Sequence, residues 1–210
     1  IYVIVEGDNK TGTLELNDLK ASNTIPPDPT KTANDINIPT TGLTIPGGVT
    51  VNPTGATAAL TRTSRGISVA YATNSGANAG WAGAGFSYAG TTLGYQDIST
   101  LTNLIFSLKS SEGTLKLELV DSLGNKSAIY LSGASSVNET FYSVALSKLV
   151  GNADLHKISF IYVIVEGDNK TGTLELNDLK ASNTIPPDPT KTGADINIPL
   201  NSLTDPSPRV

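Results

Sequence analysis

The sequence predicts an all-β fold, an antiparallel sandwich of short strands joined by tight turns. Apolar residues alternate with others at Leu104, Phe106 and Leu108, at Leu115, Leu117 and Leu119, and at Leu174 and Leu176. That is the period of a strand with one face buried. Between these runs stand Ser110-Ser111-Glu112-Gly113 and Asp121-Ser122-Leu123-Gly124-Asn125, whose glycine and Asx residues supply turn geometry. No amphipathic stretch is long enough for a crossover helix, which excludes a parallel α/β sheet.

A duplication sets the organisation. Residues 1–32 recur letter for letter as 161–192. After Ala33-Asn34 against Gly193-Ala194, the match resumes at 35–39 and 195–199. A repeat of this length fits one domain with its linker rather than a solenoid unit. The expected layout is a terminal hairpin of a preceding repeat, or donated strands, at 1–21 and a linker at 22–40. A complete sandwich module at 41–181, a second linker at 182–199 and the start of a following repeat at 200–210 complete it.

Residues 41–49 are punctuated by Gly and Pro and read as irregular chain or an edge strand. Strands are expected at 58–62 and 67–72, the second with Ile67, Val69 and Tyr71 on one face. At 81–88 the glycines would weaken a strand unless another segment packs closely against them. Residues 97–102 read as a short turn, with one helical turn capped by Asp97 or Ser99. The alternating strands around 104–109 and 115–120 follow, then shorter ones at 128–131 and 139–146. A single helical turn is expected within 147–154. Residues 160–165 form an unbroken apolar run, as in a strand buried on both faces. A turn at 166–172 leads into a last strand at 173–180, where the alternation slips at Asp178-Leu179. The slip predicts a β-bulge. Beyond it, Pro186, Pro187 and Pro189 favour an extended, semi-rigid spacer.

Composition narrows the function. The 210 residues carry a net charge of −5 and no cysteine, so disulfides, thiolate metal sites and cysteine nucleophiles are excluded. No basic run offers a nucleic-acid surface, and no stretch approaches the ~20 apolar residues of a membrane span. Loops rich in Gly, Thr, Ser, Asn and Ala point to an extracellular or cell-surface module. His156 is the one histidine, no Gly-x-Ser-x-Gly elbow occurs, and the carboxylates fall mainly in turns or at solvent-facing strand positions. The chain is read as non-enzymatic.

The order of elements resembles the jelly-roll carbohydrate-binding modules of secreted and cell-surface bacterial proteins. The resemblance rests on Gly80-Trp81-Ala82-Gly83-Ala84-Gly85-Phe86, on DISTLTNLIFSLK from Asp97, on LKLELVDSLG from Leu115 and on GTLELNDL from Gly172. It covers roughly residues 51–181. It implies a non-catalytic module that binds polysaccharide or mediates attachment. It also implies a structural calcium ion at an Asp of the last strand, a position that Asp178 matches.

Sugar binding needs aromatic faces with polar neighbours. Tyr88 and Tyr95, near a loop, are the expected platforms, and Trp81, between Gly80 and Gly83, either packs into the sandwich or joins them. Asp178 is the expected metal ligand, the alternative being a carboxylate that satisfies backbone donors at a strand end. The duplication offers another reading, a segment of an extracellular fibre or stalk in which the first hairpin pairs with other copies of the chain. Its assembly residues would be Ile1, Val3, Val5, Leu14 and Leu16.

Overall fold

The computed structural model describes residues 20–21, 35–38, 47–75, 80–88, 91–185 and 196–197. Their strands, in chain order, are β1 (Lys20–Ala21), β2 (Ile36–Asn37), β3 (Gly47–Val51), β4 (Thr57–Arg62), β5 (Gly66–Ala72), β6 (Trp81–Ser87) and β7 (Asn103–Ser110). They continue with β8 (Thr114–Asp121), β9 (Lys126–Ser132), β10 (Thr140–Ala145), β11 (Val150–Gly151), β12 (Ile158–Glu166), β13 (Thr171–Ser182) and β14 (Ile196–Asn197). The chain divides into a larger unit, Thr24–Thr190, and a smaller one built from Ile1–Asn23 and Lys191–Val210.

The larger unit is the expected antiparallel sandwich. One sheet runs β10-β7-β13-β5-β4, with β2 also on β13; the other runs β11-β9-β8-β12-β6-β3. Alternation sends Leu104, Phe106 and Leu108 of β7 and Leu174 and Leu176 of β13 inward. They meet Leu115, Leu117 and Leu119 of β8 and Ile161, Val163 and Val165 of β12, all of them core residues. The apolar run at 160–165 is explained by position. β12 lies between β8 and β6, and even its outward Ile164 is buried.

Gly83 and Gly85 show why β6 carries so little side chain. A Cβ at Gly85 would collide with the Ile161 carbonyl oxygen, and one at Gly83 with that of Val163. The close approach anticipated for this strand is made by β12. The phase slip in β13 is a bulge, with the register to β7 shifting between Asn177 and Lys180. Asp178 takes φ 52° there, and its N–H donates to the Arg65 carbonyl at 3.0 Å. The extra residue restores the phase, so Leu179 and Ala181 again point into the core.

Several expectations need correction. The stretch 22–40 is not wholly linker. β2 pairs with the end of β13, Asn37 opposite Lys180 and Ile36 opposite Ala181. Ile38 is 2% exposed, in the core. The module also runs past residue 181, with Ser182 and Asn183 buried. Residues 97–102 hold an Asx turn, in which the Ser99 N–H donates to Asp97 Oδ1 at 2.9 Å, rather than a helical turn. The turn expected within 147–154 is a 3-10 turn at Leu146–Lys148, followed directly by β11.

In the smaller unit β1 pairs with β14, Lys20 opposite Asn197 and Ala21 opposite Ile196. Residues 196–197, expected as linker, therefore form a strand. Ile1, Val3, Val5, Leu14 and Leu16 lie outside the described residues.

Candidate functional site

The outward face of the second sheet gathers aromatic rings and charges. It is built by period two: in β12, Phe160, Tyr162 and Ile164 take the phase opposite to the core residues Ile161, Val163 and Val165. Register then places Tyr130 of β9 beside Lys116 of β8, and Lys116 beside Ile164. Tyr162 lies opposite Glu118 on one side and Gly85 on the other, and Trp81 lies opposite Glu166. Gly83 and Gly85 put no side chain on this face beside Ile164 and Tyr162, and both glycines and Ile164 are buried.

The rings differ in their access to solvent. Tyr130 is 63% exposed; its hydroxyl donates to Glu166 Oε2 at 2.7 Å, which fixes the ring. Phe160 and Tyr162 stack with centroids 5.4 Å apart and planes 14° apart. Trp81 is half-buried at the Glu166 end of β12. Burial, with the nearby Glu118 charge, pushes the Tyr162 hydroxyl up to about 12.

Glu118 anchors the charges. Although only 4% exposed, it receives Lys126 Nζ at 2.9 Å and Lys116 Nζ at 3.0 Å. Burial pushes its carboxyl up, but the two ammonium groups outweigh this and hold it below its ordinary value. Lys116 also lies 3.5 Å from Glu166. Burial alone would lower Lys116, yet Glu118 and Glu166 hold it above the usual range. A pocket of about 430 Å³ opens where this face meets the β7–β8 turn, lined by Glu112, Lys116, Tyr130, Glu166 and Lys170. Lys170 Nζ there meets Glu112 Oε2 at 3.0 Å. Every charge named on this face and in its pocket is thus compensated by a neighbour. The surface offers fixed donors, acceptors and ring faces.

The expected platforms divide. Trp81 stands on this face. Tyr88 does not: it is 3% exposed in the core, where burial pushes its hydroxyl upward, so no ring face is open to a ligand. Tyr95 is half-buried beside Gln96, which bridges to Ile158 at the start of β12, the opposite end of that strand from Trp81 and Glu166. The structure therefore does not bring the three together. Tyr130, Tyr162 and Phe160 are the rings that sequence reasoning passed over as platforms.

Asp178 lies on the other sheet. Arg65 grips its carboxylate through Nε, at 2.9 Å, and Nη2, while Nη1 holds Glu139 at 3.0 and 3.1 Å. Glu139 also accepts from Asn177 Nδ2 at 2.8 Å. A guanidinium between two carboxylates already supplies their countercharge and would repel a cation at the same oxygens. These residues do not fit a calcium site. Among the described residues no group of three or more His, Asp or Glu is arranged to hold a metal ion.

One cluster has the composition of a hydrolase triad. Ser99 Oγ lies 3.0 Å from His156 Nδ1, and Asp97 Oδ2 lies 3.3 Å from the same nitrogen. A proton relay needs the carboxylate on one ring nitrogen and the nucleophile on the other. Ser99 instead donates to Asp97 Oδ1 at 2.7 Å, and the His156 side chain is 66% exposed. The cluster closes a surface turn.

No family model matches the chain, and no curated protein matches it in sequence. Its fold is shared with solved carbohydrate-binding modules. A family 11 carbohydrate-binding module from Clostridium thermocellum, solved in complex with a beta-1,3-1,4-mixed-linked tetrasaccharide, superposes with a TM-score of 0.56 at 14% identity. The match covers 70% of this chain and 95% of that one. A family 30 module of a cellulosomal cellulase from the same organism gives 0.52 at 13% identity, over 71% of this chain and 98% of that one. An agarase gives 0.51 at 13% identity, with 71% of this chain matched to 25% of the enzyme. The sandwich described above is the fold of carbohydrate-binding modules.

Proposed function

We propose that the chain is a non-catalytic module of a secreted or cell-surface protein that binds polysaccharide across the outward face of the second sheet. The observation that carries this reading is Tyr130, an exposed ring locked by Glu166 among compensated lysines and carboxylates. A sugar ring laid on Tyr130 would bury its C–H face on the phenol, while Lys116, Glu166 and the pocket walls exchange hydrogen bonds with its hydroxyls. Trp81 and the Phe160–Tyr162 stack extend the strip along β12 and β6, in keeping with an extended chain rather than a single sugar.

The test is affinity electrophoresis and calorimetry on a panel of soluble polysaccharides, with Tyr130→Ala and Trp81→Ala beside the wild type. Loss of one stacking ring costs about 0.5–1.5 kcal/mol, which weakens Kd by roughly two- to twelvefold. Wild-type retention on at least one polysaccharide, diminished in both variants, supports the reading. No retention of the wild type on the panel, or variants retained as well as the wild type, would overturn it.

A further inference from the structure

The same strand pairing occurs in each of the two units. In the larger unit, the segment Asp35-Ile36-Asn37-Ile38 plugs the open side of β13. The Ile38 N–H donates to the Leu179 carbonyl at 3.1 Å, Lys180 Nζ lies 2.9 Å from Asp35 Oδ2, and Ser182 Oγ donates to Asp35 Oδ1. Every residue of that contact exists twice. The plug is spelled again at Asp195-Ile196-Asn197-Ile198, and the acceptor Leu179-Lys180-Ala181-Ser182 is spelled again at Leu19-Lys20-Ala21-Ser22. The smaller unit pairs the second plug with the second acceptor in the same register. Asn197 faces Lys20 and Ile196 faces Ala21, as Asn37 faces Lys180 and Ile36 faces Ala181.

From this we infer that the two plugs are interchangeable, and that two copies of the chain associate by exchanging them. The segment around Ile196-Asn197 of one copy takes the β13 acceptor of a second. The plug that it displaces there, around Ile36-Asn37, takes the vacated Lys20–Ala21 acceptor of the first. The number of plug–acceptor pairs, their sequences and their register are the same before and after, so the exchange is neutral in pairing energy. Each copy keeps one intact pair that can exchange in turn. The contact joins unlike surfaces, so it need not close and propagates as a linear chain of copies. Within one copy the tethered plug competes at an effective concentration on the order of millimolar. Exchange between copies therefore emerges at comparable protein concentration, or after annealing has opened the cis pairs.

Because the natural chain has no cysteine, disulfide trapping reads the exchange directly. One population carries Asn197→Cys and another Lys180→Cys. Within one copy residue 197 faces residue 20, so a 197–180 disulfide between populations forms only when a plug has crossed over. The two are mixed, annealed and oxidised. The expected result is a heterodimer band at twice the monomer mass, which grows with concentration and outweighs both homodimers. A Lys20→Cys, Asn197→Cys double variant reports that the cis pair exists, by forming an internal disulfide at monomer mass. If that internal bond forms while the mixture yields only monomers, or homodimers at the random level, the inference falls. If neither bond forms, the paired plug itself is wrong and the inference falls with it. Glycan binding plays no part in any of these readouts.

Discussion

Replacing Ile38 by Ala separates a strand from a linker. In the structure Ile38 is 2% exposed and belongs to the main core, anchored by its N–H to the Leu179 carbonyl at 3.1 Å. Truncation to Ala keeps that backbone bond but removes most of a buried side chain from among packed neighbours that relax only in part. Substitutions of this kind cost about 2–5 kcal/mol. For a domain of 150–250 residues each kcal/mol lowers the midpoint by roughly 2–4 °C, so the variant should melt roughly 4–20 °C below the wild type. Thermal denaturation followed by circular dichroism, with urea unfolding for the free energy, makes the measurement. A loss within the ~0.5 kcal/mol typical of surface substitutions would return Ile38 to a linker and remove β2 from the sandwich. It would also remove the structural basis for interchangeable plugs.

Two further outcomes follow from particular geometry. Gly85→Ala drives a methyl group into the Ile161 carbonyl, and since the obstacle is backbone, β6 must shift away from β12. Overpacking costs about 1–3 kcal/mol, a drop of roughly 2–12 °C by scanning calorimetry. An unchanged midpoint would mean that the two strands are not so close. Asp121 is 2% exposed and accepts from the Asp154, Asn125 and Leu123 N–H groups and from Asn125 Nδ2. The Asp154 bond does most to hold its carboxyl down at about 2, against a burial effect of opposite sign. With the folded value depressed from 3.8, its stabilisation is complete above that pH and is lost as pH falls toward 2. Asp121→Asn should therefore melt lower near neutral pH, with a shallower decline below pH 4 than the wild type. Parallel declines would refute the assignment.

What could be read in advance was whatever obeys local periodicity. The alternating leucines of β7, β8 and β13, the turns between them and the bulge at Asp178 are legible because a strand's inward residues come every second position. β2 was hidden because Ile36-Asn37-Ile38 is short and stands among Pro26, Pro27, Pro29 and Pro39, so composition alone reads as spacer. Only the distant partners at 179–182 make it a strand, and β propensity is decided by such context. Tyr88 could have been placed correctly, since it shares its phase with Ala82, Ala84 and Phe86, all core. The same rule would have put Phe160 and Tyr162 on the face opposite Ile161, Val163 and Val165. The unbroken apolar run concealed them. The pairing of Glu118 with Lys126, and of Tyr130 with Glu166, depends on register across strands and leaves no trace in any one stretch of sequence.

The two proposals place their surfaces on different sheets of the larger unit, and that separation has a consequence. The plug acts on β13, in the sheet that holds the Arg65 cluster, while the aromatic strip faces outward from β9, β8, β12 and β6 in the other sheet. Exchange of plugs restores the β2–β13 pairing with an identical segment, so it alters nothing around Tyr130, Trp81 or Glu118. A chain of exchanged copies would then carry one strip per copy. Weak contacts of a single ring-stacking site would add through effective concentration rather than through any new contact. An exchange-blocked monomer and an assembled sample should accordingly share one intrinsic affinity for a short oligosaccharide, and differ only in retention on a long polymer. A difference already present with the short ligand would mean that assembly reshapes the binding face, contrary to the separation of the sheets.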